Sequence, residues 1–181
     1  APGRGYSFER GGGHGGHGGS FTTTYGLTYG YPYAPFMAGS PNGCYSTYLP
    51  SRGGGTVRIA AAGQVTLNGT ILADGAANTM YGGAAGGGIW ITCGRFEASQ
   101  SASLAAKGGS NNEYTSSGGG GRISVGLGLS EAEIAALAAG ETPAGLTYGL
   151  LTVVGNSVKG GAAYEISTGV RWYAESGTAT Y

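Results

Sequence analysis

Charge is the scarcest resource in this chain. Nine Lys and Arg balance nine Asp and Glu over 181 residues, for a net charge of zero. Nucleic-acid binders carry a basic patch or stripe, and none can be assembled from so few cations. No polybasic run or basic amphipathic stretch points to a membrane surface. No apolar run reaches the length of a membrane-spanning helix. A net charge near zero weakens long-range repulsion between copies and favours association.

Catalytic and metal-binding residue types are also few. Asp74 is the one aspartate, set against eight glutamates, and His14 and His17 are the only histidines. Glycoside hydrolysis normally needs two carboxylates at a fixed separation. Of the acids, Glu97 and Glu165 fall in strand-like segments, and Glu131 and Glu133 suit a helix start. His14 and His17 have only Glu9 near in sequence as a further ligand, and Cys44 is distant, so the pair reads as polar breaks in a glycine tract. The glycine triplets are followed by strands, not by Gly-Lys-Ser/Thr and a helix, so they are not phosphate loops. The acidic turns of a repeated calcium loop are missing. These gaps argue against an enzyme and imply neither a catalytic residue nor a metal or cofactor. Asn68-Gly69-Thr70 fits a glycosylation acceptor but reads first as a turn, and Thr22-Thr23-Thr24 is too short for an ice-binding face. The two cysteines, Cys44 and Cys93, are compatible with one disulfide or with two buried thiols.

What is present in excess is glycine, 41 residues, over three times the usual share of roughly 7%. Glycine-rich chains are often disordered, but 40% of this chain is apolar and 13 residues are tyrosine, which predicts a fold. The order is in the repeats. Gly53-Gly54-Gly55-Thr56-Val57-Arg58-Ile59, Gly86-Gly87-Gly88-Ile89-Trp90-Ile91 and Gly119-Gly120-Gly121-Arg122-Ile123-Ser124-Val125 begin 33 residues apart (86 − 53 and 119 − 86). Ile71-Leu72-Ala73-Asp74-Gly75 and Leu104-Ala105-Ala106-Lys107-Gly108 keep the same step. A fixed period of this size is a solenoid signature.

Alternation of period two supplies the strands. Val57 and Ile59, Val65 and Leu67, and Ile71 and Ala73 share faces in one repeat. Ile89 and Ile91, Phe96 and Ala98, and Leu104 and Ala106 do so in the next, and Ile123 and Val125 in the third. The expected fold is therefore all-β: a small parallel β-helix (solenoid) over residues 53–128, with the glycine-rich stretches 76–85 and 109–118 as loops leaving it. The expected core is Val57, Ile59, Val65, Leu67, Ile71, Ile89, Ile91, Phe96, Leu104, Ile123 and Val125. Trp90 points the other way, outward or under a loop. Residues 1–52 form an irregular Gly/Tyr/Pro-rich segment packed on this unit. Its Gly11–Gly19 tract is either a solvated loop or an extended ribbon. A polyglycine-II bundle would need several parallel rods, and the runs at 11–19, 82–88 and 118–121 are uneven. Residues 129–145 hold one short helix, near 131–139, because Ser130-Glu131-Ala132-Glu133 is a capping box. Residues 146–181 return to strands that close or extend the single domain. A start at Ala1-Pro2 without methionine reads as a processed chain or an excised fragment.

Gly-Gly-Gly-Ile-Trp-Ile at 86–91, Ala-Lys-Gly-Gly at 106–109 and Gly-Gly-Gly-Arg-Ile at 119–123 together resemble the glycine-rich parallel β-helix stretches of large secreted bacterial surface proteins. The tract at 11–19 fits the same style. The resemblance implies an extracellular, structural or adhesive protein and carries over no catalytic residue. The leading expectation is a structural surface protein that self-associates, end to end, into a filament or matrix. The alternative is a carbohydrate-binding adhesive module in which Tyr29, Tyr31, Tyr33, Trp90, Trp172 and Tyr173 stack on an extracellular glycan. A β-helix polysaccharide-degrading enzyme is the remaining alternative.

Overall fold

A computed structural model describes residues 2–5, 10–19, 26–44, 49–78, 82–109 and 116–144. The strands expected in 146–181, together with Glu165, Trp172 and Tyr173, lie outside the described residues.

Among the described residues, seven short strands and one helix follow in order: β1 (Thr56–Ala60), β2 (Gln64–Leu67), β3 (Thr70–Leu72), β4 (Gly88–Cys93), β5 (Arg95–Ala98), β6 (Ser103–Ala105), β7 (Arg122–Leu127) and α1 (Glu131–Ala138). They make three separate small parallel sheets, β1-β4-β7, β2-β5 and β3-β6. The alternating apolar residues of all three meet in one core. Ile89, Ile91, Cys93, Phe96, Leu104, Ala106, Ile123 and Val125 are buried in it, with Val57, Ile59, Val65, Leu67 and Ile71 packed against it half-buried.

The small β-helix (solenoid) expected from the repeats is not what these elements build. Its premise is one constant step. Val57 pairs with Ile89, Val65 with Phe96, Ile71 with Leu104 and Ile89 with Ile123, steps of 32, 31, 33 and 34 residues. Among the described residues, only one of the three sheets reaches a third strand. The larger correction concerns the stretches expected as loops. Gly83 and Gly86 donate their N–H groups to the carbonyls of Ser116 and Gly119. Ala84 and Gly87, one position on, donate instead to Ala76 and Ala73, while Gly118 and Gly121 donate to Gly109 and Ala106. Residues three apart meet the same neighbour and adjacent residues meet different ones. That is the period of a polyproline-II rod, which has three residues per turn and no internal hydrogen bonds. The described chain between β3 and β4 and between β6 and β7 thus runs as glycine-rich rods that bond sideways, and the three small sheets are attached to them.

Glycine is what lets the rods touch. A Cβ at Gly83 would lie 1.9 Å from the Gly109 carbonyl oxygen, so only a bare backbone fits. The Gly11–Gly19 tract is neither a solvated loop nor an extended ribbon. It doubles back, with Gly11 donating to Gly19 and His14 to Gly16, and bonds to the bundle through Gly12 to Gly83 and Gly15 to Gly120. These contacts satisfy main-chain groups that burial would otherwise leave stranded.

On the outer face of β4, Trp90 is 1% exposed beneath Ala34 and Leu137, with Tyr33, Leu129, Ile134 and Ala138 around them. The helix that covers it is the one the capping box specifies: the Ser130 side chain accepts from the Glu133 N–H, and the Glu133 carboxylate accepts from the Ser130 N–H. It ends before Gly140, whose φ of 85° is left-handed and whose missing Cβ leaves room for the Tyr31 ring.

Candidate functional site

Hydrogen bonds across the sheets fix which way each main-chain group of β1, β2 and β3 points. Ala61 donates to Thr92 and Gly55 accepts from Gly88, so odd-numbered residues of β1 face β4. Arg95 donates to Gly63 and Ser99 to Leu67, so odd residues of β2 face β5. Ser103 donates to Gly69 and Ala73 donates to Ala105, so odd residues of β3 face β6. Because N–H and C=O of one residue point to the same side of a strand and the next residue's point to the other, the even residues face away. Thr56, Arg58, Ala60, Gln64, Thr66, Thr70 and Leu72 therefore direct their main-chain donors and acceptors to a side on which no described strand pairs, and all seven are exposed.

Core-facing side chains show the same openness. Val57, Ile59, Val65, Leu67 and Ile71 are all partly exposed. Four of their register partners one strand further in are buried: Ile89 and Ile91 are 0% exposed, Phe96 8% and Leu104 1%, while Ala98, opposite Leu67 at the end of β5, is exposed. Three strand edges and the rim of the core thus share one uncovered end. Natural edge strands are usually blunted by lysine, proline, a bulge or a covering element. The five, four and three residues of these strands hold no proline, no lysine and one charge, Arg58, and they pair in continuous register. Arg58 itself is turned onto the outer face, its guanidinium 4.5 Å above the Trp90 ring.

Exposed polar ladders flank this end. Gln64 Nε2 donates to Glu97 (2.7 Å), which also pairs with Arg95 (2.6 Å). Ser103 donates to Thr70 (2.8 Å), and Asp74 Oδ1 accepts the Lys107 N–H (2.7 Å). Glu97 is engaged in cross-strand pairing, and Asp74 caps the Lys107 N–H just beyond β3 and β6.

A second constellation lies in the rod bundle. His14 is fully buried, and its Nδ1 meets the Gly86 carbonyl at 2.9 Å. A carbonyl only accepts, so Nδ1 carries the proton and Nε2 keeps a lone pair, for which no described residue supplies a donor. The ring lies against Tyr29, centroids 4.7 Å apart. Burial, with the Arg122 guanidinium acting in the same direction, lowers the His14 pKa to about 4, against a weaker opposing effect of the Gly86 hydrogen bond. Arg122 Nε donates to the Tyr29 carbonyl (3.1 Å) and Ser124 to the Tyr33 carbonyl (2.8 Å), tying β7 to segment 26–44. The Tyr29 hydroxyl donates to the Ala38 carbonyl and accepts from Ser40, and burial raises its pKa.

The aromatic residues named from sequence do not form one platform. Trp90 is 1% exposed, packed against Arg58 and the Ala34–Leu137 cluster, and cannot stack on a sugar. Tyr29 and Tyr33 are half-buried and used in packing. Tyr31 is exposed, beside Phe36 with centroids 5.8 Å apart. Cys44 and Cys93 are not joined. Cys93 ends β4 inside the core, where burial pushes its thiol up, so the disulfide alternative falls. His17, unlike His14, is exposed.

Sequence reasoning missed the edge residues. Alternation identifies Thr56, Arg58 and Thr66 as pointing away from the core, but whether another strand lies beside them leaves no mark on composition. No helix among the described residues is long and apolar enough to cross a membrane. Comparison with protein-family models, curated proteins and solved structures finds no match to this chain.

Proposed function

We propose that this is an extracellular structural protein that associates with itself through the edge made by β1, β2 and β3. The observation that carries the reading is the uncovered end itself: three strand edges in a row, without the usual blunting devices, over half-exposed Val57, Ile59, Val65, Leu67 and Ile71. Main-chain groups at such an edge give affinity to any added strand, and alternate side-chain pockets give selectivity. Zero net charge removes the repulsion that would keep copies apart. Placement outside the cell rests on the resemblance of the glycine-rich segments to secreted bacterial surface proteins.

Sedimentation velocity over a hundredfold range of protein concentration tests the reading. The expected result is a mass that rises with concentration and falls back on dilution. A single-chain mass throughout refutes it. A carbohydrate-binding reading keeps one supporting observation, the exposed Tyr31–Phe36 pair; loss of binding on a glycan array in Tyr31→Ala would favour it.

A further inference from the structure

Resting on that self-associating reading, we infer that the assembly closes as a twofold dimer, β1 against β1 of a second copy in antiparallel pairing, and does not grow as an open filament. Head-to-tail growth needs two complementary open ends. The described residues present one. At the opposite side of the three-stranded sheet, Arg122 donates to Gly87 and Gly128 to Cys93, so the even residues of β7 face β4 and the odd ones face away. Of those odd residues, Ile123 and Val125 are 5% and 0% exposed, main chain included, and only Leu127 at the strand's end is partly exposed. Phe96 and Leu104, whose main-chain groups face away from β2 and β3 by the same parity, are 8% and 1% exposed, and Ala98 at the end of β5 is the one such residue left exposed. The β7 side is covered and the β1 side is open. An open end with no complement among the described residues meets itself, and a patch that meets itself does so about a twofold axis.

The twofold makes the new strand pair antiparallel and restricts its register. Thr56, Arg58 and Ala60 carry the outward donors and acceptors, so these must pair with one another across the axis. Three registers pair at least two of these residues with one another. One sets Arg58 opposite Arg58 of the second copy, and like charges directly opposed destabilise a cross-strand pair. The other two set Arg58 opposite Thr56 or opposite Ala60, and centre the axis on Val57 or on Ile59. In both, the residue on the axis has its own N–H and C=O turned towards β4. It therefore forms a non-hydrogen-bonded pair with its symmetry mate, with Cα atoms about 4.5 Å apart. The half-exposed Val57, Ile59, Val65, Leu67 and Ile71 of the two copies then close over one another and extend the core across the interface.

Single cysteines read this directly, because about 4.5 Å between Cα atoms lies within disulfide range. Val57→Cys, Ile59→Cys and Arg58→Cys are made in a Cys44→Ser background and oxidised mildly, and the unmodified protein is followed by equilibrium ultracentrifugation. The expected result is a mass that plateaus at two chains, with a disulfide-linked dimer in one of Val57→Cys or Ile59→Cys and at least tenfold less in Arg58→Cys. Species beyond two chains that keep growing with concentration overturn the closed dimer while leaving self-association standing. A dimer cross-linked through Arg58→Cys alone overturns the register and the charge argument behind it. A single chain at every concentration, whether bare or with its edge taken by another part of the chain or another protein, overturns both the dimer and the reading it rests on.

Discussion

Thr66→Pro and Val65→Pro separate the two sides of β2. Proline has no N–H to donate, and in sheets it is tolerated where that N–H faces solvent. At position 66 the N–H points away from β5, so no ladder bond is broken in the single chain. The preceding residue stays extended, which a strand requires and proline favours. The substitution also removes the exposed hydrogen bond from Gln64 Nε2 to Thr66 Oγ1 (3.0 Å). The expected change in stability is within about 1 kcal/mol. At position 65 the N–H faces β5, where Val65 pairs with Phe96. Removing it costs a net hydrogen bond of about 1 kcal/mol and strands a carbonyl at about 1–3 kcal/mol more, so stability falls by about 2–4 kcal/mol. Urea unfolding at high dilution, followed by tryptophan fluorescence, gives the stability, and sedimentation gives the association. Thr66→Pro should fold like the parent yet associate at least tenfold more weakly, since the incoming strand loses a donor worth about 1.4 kcal/mol or more. A Thr66→Pro variant that unfolds as readily as Val65→Pro, or that associates like the parent, refutes the assignment of the open side.

The remaining predictions concern the rod bundle. His14 holds a pKa of about 4 when folded and 6.5 when free. As pH falls below 6.5 the unfolded chain takes up a proton that the folded chain refuses, so stability present in full above 6.5 drains away towards pH 4, by about 3 kcal/mol. His14→Phe, which leaves Arg122 and Tyr29 around a ring that cannot titrate, should flatten that part of a pH-versus-melting profile; an unchanged slope contradicts the burial argument. Gly83→Ala forces a Cβ to 1.9 Å from the Gly109 carbonyl oxygen and should cost about 3 kcal/mol, the upper end for overpacking. Gly63→Ala, with open space around it, should stay within about 1 kcal/mol; equal losses in thermal melts of the two would mean that the rods do not touch.

Much of the sheet structure is legible in the residues. The pairs Val57/Ile59, Ile89/Ile91 and Ile123/Val125 mark one strand position three times, because period-two alternation survives whatever lies between the strands. The helix is legible because Ser130 and Glu133 satisfy each other's N–H groups locally. The rods are not, because hydrogen bonds between bare backbones leave no side-chain pattern, and Gly-Gly-Ala-Ala-Gly at 82–86 reads the same whether it is a loop or a packed rod. The misread fold follows from this gap: equal spacing of triplets implies equal coils, whereas here rods and strands of varying length share the interval. Trp90 is legible as opposite to its neighbours. That it is roofed by Leu137 and Ala34, and so is no use to a sugar, depends on contacts over distances that no local pattern encodes.

Amide hydrogen exchange, residue by residue, tests the central claim most directly. At high dilution the amides of Val57, Ile59, Val65 and Ile71, which face β4, β5 and β6, should be protected, while those of Thr56, Arg58, Ala60, Thr66 and Thr70 exchange freely. At high concentration the even-numbered amides of β1 and that of Thr66 should become protected as well, without change in the odd ones. Protection of the even-numbered amides that is the same at every concentration would mean the edge is never open to a second copy, and the account would be wrong.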